Sequence, residues 1–514
     1  MKTFVNQNVV GFTADSKYAK LGHNKTENMY VETTNTNDKG VTKVLYGFGG
    51  YKSFKAMTGK CRGFHVVENC YDGKPVLFAV FGAKLYSIDT NGVQLSVCNI
   101  SASTKKVSFA EVPIYGGDSW LVFVDGSNCY AVNTTRNQGS VHEISLPMRS
   151  DNSRIEPDHV VYLYGNIVVN DCKTDAFYTS CYHPLNTYDG VVDFDIFMVD
   201  EAPFTDNPTE DDDGARPYYK YGYVSYSEYK GDKTLAIISN GNNMYSLGES
   251  SLQKFAYNNV ALSKAVAGGI VRTSPNSSYF NVGCVDANSV AQFGDTFFWV
   301  GKNTNGNLQA YTFSGSPSVI STTEMEREMV GIKVLNGYTF MVNGHPFYVL
   351  QFGNKCYAYD IREKGWVELT STNARNITSA FRYRDSVQFN GKLLFGTDGL
   401  IAEYTEDDFT DCGNKIVRLR AGHVVSSNKV LIQELKPVVN VGDAPMDLRL
   451  KFSNDGKSFL QFVIQYAGKL GEYGFEPIFT DLGEGEDFSV ELSTTSNAPF
   501  VIKDMAITYQ PLIY

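Results

Sequence analysis

Short apolar runs alternate with turns along this chain, and most of the runs come in pairs. In FYVLQFGNKCYAYDIREKGW, residues 347–366, an apolar run leads into a turn on Gly353 and Asn354, and a second run closes on Trp366. LFAVFGAKLYSIDTNG at 77–92 and WLVFVDGSNCYAVNT at 120–134 have the same order of parts. An apolar strand, a turn rich in Gly, Asn or Asp, and a strand alternating small or polar with aromatic residues form a β-hairpin pattern. Aligned on the aromatic of the second strand, the phrases place Tyr86, Tyr130, Tyr178, Tyr245, Tyr311, Tyr357 and Tyr404 at separations of 44, 48, 67, 66, 46 and 47 residues. The apolar strands before them are LFAVF, WLVFV, NIVVN, TLAII, TFFWV, FYVLQF and KLLF. Repeats of about 40–50 residues built from several strands mark the blades of a β-propeller, each of which buries its faces only against its neighbours. The pattern therefore predicts an all-β fold, with one propeller of six or seven blades over about 60–410 and insertions at the two long gaps. Leu121, Phe298 and Leu394 are expected in its core. A stack of sandwich hairpins with accidental spacing is the alternative.

Two stretches leave the repeat. Residues 425–514 carry longer alternating runs, VLIQELKPVVNV, MDLRLKFSND, FLQFVIQYAG and VIKDMAITYQPLIY, which predict a separate antiparallel β-sandwich over 411–514. Residues 189–230 join an acidic loop, with Asp206 and Glu210, Asp211, Asp212 and Asp213, to a tyrosine cluster of Tyr218, Tyr219, Tyr221, Tyr223 and Tyr226. The acids at 210–213 favour water and are expected solvated at a tip or facing a lumen, whereas tyrosines are amphipathic surfaces suited to an interface. This insertion is either a protruding tip that docks a partner or a solvated surface loop. Helical periodicity is confined to STTEMEREMVGIKVL, 321–335, with Ser321 or Thr322 as the cap and Glu324 and Glu326 at the positive end of the dipole.

Charge narrows the function classes. The formal net charge is −11, from 45 Lys+Arg against 56 Asp+Glu, so a protein that grips nucleic acid through its phosphates is disfavoured. No apolar run approaches the ~20 residues of a membrane helix, and the N-terminus has no signal-peptide core, so no membrane contact is expected. Nine cysteines, an odd number with no C-x-x-C pair, point to reduced, mostly buried thiols. No catalytic, cofactor or metal motif is found. The seven histidines include no pair at metal-ligand spacing, and GFGGYKS at 47–53 lacks the G-K-[ST] ending of a phosphate loop, so its glycines are read as a turn with close backbone approach. The acids at 210–213 are adjacent where a calcium loop alternates its ligands. SNDGKSF at 453–459 departs from the Asp box of sialidase propellers and is read as a plain Asp-Gly turn.

Several phrases together carry a family likeness. TADSKYAKLGHNKTENMYVETT at 13–34, with Asn28, Met29 and Tyr30, precedes VLYGFGGYKSFKAMTGKCRGFHVV at 44–67, with Phe54 to Gly59, and then the first hairpin with Gly82 to Tyr86. SYFNVGCVDANSVAQFGDTFFWVGKNTNGNLQAYTFSG followed by SPSVISTTEMEREM, and VLIQELKPVVNVGDAPMDLRLKFSNDGKSFLQ with Asp455 and Gly456 in its turn, continue it in order. The chain resembles the packaged-DNA stabilization, or tail-hub (nozzle), proteins of short-tailed bacteriophages. The resemblance is patchy but collinear, its motifs are structural, and it has no counterpart for 189–230.

That resemblance implies a structural virion protein of the tail, made in the host bacterial cytoplasm. It would be one subunit of a homo-hexameric ring below the portal and its adaptor proteins, retaining packaged DNA and forming the ejection conduit. Tail fibre, tailspike or needle proteins would be its distal partners, and double-stranded DNA would pass without specific contact. Residues 1–59 would form an N-terminal arm and part of a platform, packing Asn28 to Tyr30 near the 425–514 strands on the adaptor side. No enzyme activity or cofactor is expected. A propeller-type glycan-binding protein or glycosidase is the alternative, which would need paired carboxylates with separated pKa values in a pocket.

Overall fold

The computed structural model describes the chain apart from residues 1, 6–8, 15–23, 37–39, 115–116, 136–140, 164, 182–183, 186, 189–190, 198–222, 228, 242, 259–268, 273–278, 304, 455–457, 460–461 and 513–514. Seven antiparallel sheets follow one another along most of it as the blades of a β-propeller. Their inner strands are Cys61–Cys70, Ser108–Val112, Val160–Leu163, Thr234–Asn240, Ala291–Phe293, Leu335–Val342 and Asp385–Phe389. The first of these lies against both the second and the last, which closes the ring.

The apolar strands of the repeat become blade cores. Trp120–Val124 is buried at every position, and Leu121, Phe298 and Leu394 have no exposed surface. Blades pack through mixed aliphatic and aromatic clusters, such as Phe297 and Trp299 of blade five with Tyr245 and Leu247 of blade four. The helix is short, Thr323–Glu328, and Thr322 caps it by accepting from the Met325 N–H.

Six of the seven aligned tyrosines lie in the third strand of their blade, but Tyr245 lies in the second strand of blade four, Asn243–Gly248. TLAII is the inner strand of that blade and not the equivalent of LFAVF. Blade two brings Ser108 and Glu111 to the axial cavity, blade five Gln292, blade six Thr339 and blade seven Ser386, whereas blade four brings Leu235, Ile237 and Ile238. Its apolar content mimics a second strand, and the register read from the sequence slips by one strand there. The long gaps are insertions, one between Ala176–Thr179 and its outer partner Tyr223–Tyr226, the other between Leu252–Asn258 and Tyr279–Phe280.

Blade seven is completed from the other end of the chain. Gly50–Ala56 pairs with Leu400–Thr405, Tyr51 facing Tyr404, as its outer strand. This corrects the expected boundary at 59/60, because these seven residues belong to the propeller and not to the arm. The glycines of GFGGYKS are where the chains meet closely. A Cβ on Gly49 would collide with the Thr405 carbonyl, and one on Gly50 with the carbonyls of Asp408 and Thr410.

Beyond the propeller, the 22-residue strand Arg418–Val439 pairs with Phe479–Thr494 and with Val501–Pro511, and its ladders shift register between Val425 and Val430 and between Ile432 and Glu434. Asp447–Ser453 and then Val463–Tyr466 extend the sheet on the far side of Phe479–Thr494. The arm completes this β-sandwich. Lys2–Val5 and Gly40–Gly47 pair with Val501–Pro511, and Met29–Thr36 pairs with Gly40–Gly47. Met29, Val31 and Leu45 join Leu435, Phe479 and Ile502 in one core.

Candidate functional site: a plugged axis and an arm junction

The seven inner strands surround a cavity of about 700 Å³. Its floor is charged, and the charges tie blades together. Arg62, buried to 2% exposure, donates to four carbonyl oxygens, those of Gly82, Ser101, Lys105 and Asp125, at 2.8–2.9 Å, joining blade one to blade two. Lys105 bonds Asp158 at 2.7 Å, from blade two to blade three. Asp286 accepts from the N–H groups of Asn288 and Leu335, both at 2.9 Å, and so links blades five and six. Asp385 accepts from Phe64 at 3.0 Å and Ser386 at 2.9 Å, linking seven back to one. Charge-assisted bonds of this kind are the stronger ones in a low-dielectric interior.

Lys106 spans the axis. Its backbone N–H donates to Asn288 Oδ1 at 3.1 Å, and its ammonium donates to the Gly337 carbonyl, so blade two reaches blades five and six. Burial pushes its pKa down against the pull of Asp385, while burial pushes that of Asp385 up against the pull of Lys106. On the opposite side of this plug lies a second hollow of about 590 Å³, which shares Arg62, Lys106, Asp286, Asn288 and Asp385 with the first. His159, on the wall, is held neutral at pH 7, its pKa lowered to about 4 by burial and by the neighbouring lysines. Asp286 and Asp385 each hold two backbone donors, so these carboxylates are engaged in bracing. Among the described residues no cluster of His, Cys, Asp or Glu is placed to hold a metal ion, and all nine cysteines are free thiols.

The arm junction is the second constellation. Lys25–Glu27 pairs with both Arg418–Val439 and Gly365–Glu368, and so connects sandwich to propeller through the backbone. Asn28 follows with φ 52°, a left-handed conformation that Asn tolerates better than most residues. Its N–H donates to the Glu368 carbonyl and its carbonyl accepts from Phe48. Its Nδ2 donates to Thr370 Oγ1 at 2.9 Å and to the Val417 carbonyl at 2.8 Å, and its Oδ1 accepts from the Thr370 N–H at 3.0 Å. Lys25 bridges Glu27 at 2.7 Å and Glu368 at 3.0 Å. Tyr30 packs among Tyr46, Phe48, His345 and Phe347, and burial pushes its pKa up to about 12.

Two arginines of the strand leaving the propeller lock the junction. Arg418, with no exposed surface, donates twice to the Phe48 carbonyl at 2.9 and 2.8 Å and lies over the Phe409 ring, and burial pushes its pKa down to about 10. Arg420 donates to the carbonyls of Val9 and Phe12 and to Thr26 Oγ1. Gly47 is required beside Arg418, whose Cδ would lie 2.6 Å from an added Cβ.

Asn28, Met29 and Tyr30, expected at an interface, are brought together, at 3%, 0% and 3% exposure. Within the chain they lie between propeller and sandwich, covered by strand pairing and aromatic packing. Tyr223 begins the outer strand of blade three. Tyr218, Tyr219 and Tyr221, the acids Asp206 and Glu210 to Asp213, and the turn at Asp455 and Gly456 lie outside the described residues. Sequence reasoning missed Arg62, Lys106, Arg418 and Arg420, since a charge in a strand reads as an exposed position. The i, i+2 spacing of Arg418 and Arg420 on one face was the available signal.

Residues 213–404 match a family model described as bacteriophage P22 Gp10, β-propeller. The match runs from just before the outer strand of blade three into the third strand of blade seven, and it supports a phage tail-related family for this propeller. No curated protein matches the chain. Solved structures similar to it include an extracellular domain of a one-component system from B. thetaiotaomicron, at 11% identity and a TM-score of 0.37 over 75% of this chain. The chain spans 42% of that protein's length. An exo-β-1,3-galactanase from Phanerochaete chrysosporium aligns at 8% identity and a TM-score of 0.27, over 82% of this chain and 98% of that one.

Proposed function

We propose that the chain is a structural subunit of a ring-shaped, hexameric tail hub or nozzle that closes the portal channel of a short-tailed phage, retains its packaged DNA and forms the exit conduit. The observation that carries this reading is the Gp10 propeller match over 213–404, which lies within the collinear likeness of the two chain ends to the same class of proteins. The sandwich completed by the arm is the adaptor-facing platform. Its rigid tie to the propeller at Asn28, Arg418 and Arg420 suits a part that transmits load from one ring to the next.

Charge fits passage of DNA without capture. Six copies at −11 carry −66, and a wall of that sign repels phosphates, so retention is mechanical. A plugged propeller axis leaves the conduit to the space enclosed between subunits. The insertion opens between the third strand of blade three, Ala176–Thr179, and its outer strand, Tyr223–Tyr226, and serves as a contact for a neighbouring subunit or for the distal fibre, tailspike or needle component.

Electron microscopy of the purified chain mixed with portal–adaptor complexes tests the reading. Six-fold rings seated on the adaptor support it, and a chain that never decorates those complexes overturns it. A glycan-release assay on the same preparation separates it from a propeller glycosidase. Virions deleted for 205–216 test the insertion: loss of genome retention or of the distal component is expected, and normal particles refute the role.

A further inference from the structure

The sheet of the sandwich ends on Val463–Tyr466, which pairs with Asp447–Ser453 on one side and, among the described residues, with nothing on the other. Edge strands of soluble proteins are usually blunted by lysines, prolines or bulges, because their free N–H and C=O groups template pairing. None of these occurs in the strand itself, VIQY. Val463 stands opposite Leu450 on one face, with Gln465 beside it, and Ile464 opposite Arg449 on the other, with Tyr466 beside it, so each face presents an exposed apolar residue.

The residues around it extend the surface. Phe462, Val463, Ile464, Leu470, Tyr473 and Phe475 are 52%, 44%, 50%, 72%, 68% and 38% exposed. Ordinary surfaces scatter such side chains singly, and a run of this kind marks an interaction site. The tip is fixed in place. The Ala467 N–H donates to the Met446 carbonyl and the Gly471 N–H to the Gly442 carbonyl, both at 2.8 Å, and the rings of Tyr466 and Phe475 meet edge to face at 5.6 Å.

We infer that this edge and the loop after it are the surface on which a second copy of the chain docks, by adding a strand of the neighbour to the sheet and covering the apolar tip. Charge selects that occupant. The chain carries −11 overall, and two copies repel each other over most of their surface, but residues 462–475 contain only Lys469 and Glu472 and are neutral. Here a like-charged copy approaches without penalty, and a highly charged partner gains nothing. Backbone pairing supplies affinity without requiring a matched pocket. In a closed ring each subunit would offer this edge to the next. The inference rests on the tail-hub reading for its need of several copies, and adds which surface joins them.

The test uses the full chain on portal–adaptor complexes. Photolysis of p-benzoylphenylalanine placed at Ile464 is expected to give a product of twice the chain mass in which both linked peptides come from this chain. Ile464→Lys, in the strand, and Leu470→Asp, in the loop outside it, are each expected to lower the yield of complete rings about ten-fold, the effect of losing a modest hot spot. Both should melt with the wild type. A crosslink to another protein or within one copy, no crosslink, or rings at wild-type yield from both variants would overturn the inference while leaving the tail-hub reading intact. If the wild type forms no ring, that reading fails, and the same crosslink on the concentrated purified chain decides the surface alone.

Discussion

Asn28 and Thr370, 342 positions apart, exchange two hydrogen bonds, Nδ2 to Oγ1 at 2.9 Å and Thr370 N–H to Oδ1 at 3.0 Å. One amide thus holds the arm, the end of blade six and, through the Val417 carbonyl, the strand that leaves for the sandwich. Asn28→Ala removes these bonds and puts a Cβ-bearing residue without a local polar partner at φ 52°. Unfolding in denaturant should show a loss of about 3 kcal/mol. Asn28→Gly, which relieves the backbone, should recover roughly 1 kcal/mol of it. Equal losses would mean that the left-handed geometry carries no strain here.

Ring closure gives a second prediction. Gly50→Ala drives a methyl into the Asp408 and Thr410 carbonyls, backbone atoms that cannot swing away. Thermal or chemical unfolding should register a cost of about 3 kcal/mol, typical of overpacking against a fixed wall. Gly92→Ala, at a turn with open space around it but φ 77°, should cost only the ~1 kcal/mol of its backbone conformation.

The wall of the axial cavity predicts a pH dependence. His159 has its pKa lowered from 6.5 to about 4, so between those values the unfolded chain takes up a proton that the folded chain refuses. Stability from this residue is complete above pH 6.5 and is lost as pH falls toward 4, after which it stays flat. The loss should be of order 2 kcal/mol, since the ring is not wholly shielded. Denaturant titrations from pH 7 to pH 4 should show this slope, and His159→Gln should flatten that part of the curve.

Deletion of 205–216 should leave the fold standing. Blade three is held by pairing of Ala176–Thr179 with Tyr223–Tyr226 on either side of the insertion, and shortening a loop changes closure entropy only logarithmically. A melting temperature within about 2 °C of wild type is expected by calorimetry. A drop of ten degrees would make the segment part of the core.

Hairpin grammar was legible because it is local: a Gly or Asn at a left-handed turn between two apolar runs needs no knowledge of what packs on it. Gly353, at φ 55°, and its counterparts Gly82 and Gly391 stand at such turns. The phase of blade four was not legible, since Leu235 and Ile237 face a cavity that only the closed ring creates. Arg62 and Arg418 were invisible for a related reason. Their partners are backbone carbonyls, which every residue possesses, so no particular sequence announces the site. The glycines at 49 and 50 were recognised as a close approach, but the partner, some 355 residues away, was not. Asn28 to Tyr30 were singled out by likeness, and within the chain they are buried at the junction of arm, sandwich strand and blade six.

The outer strand of blade seven is made first and placed last. Gly50–Ala56 has no partner until Leu400–Thr405 emerges, about 340 residues later, which at roughly 5–20 residues per second is on the order of half a minute of synthesis. Lys25–Glu27 likewise waits for Gly365–Glu368, and Lys2–Val5 and the free edge of Gly40–Gly47 wait longer still, for Val501–Pro511. A ribosome that stops early releases a ring that cannot shut. The clasp can close once Leu400–Thr405 is made, but the sandwich sheet is paired only after Val501–Pro511 follows, and only then does the chain offer a neighbour a rigid surface to build on.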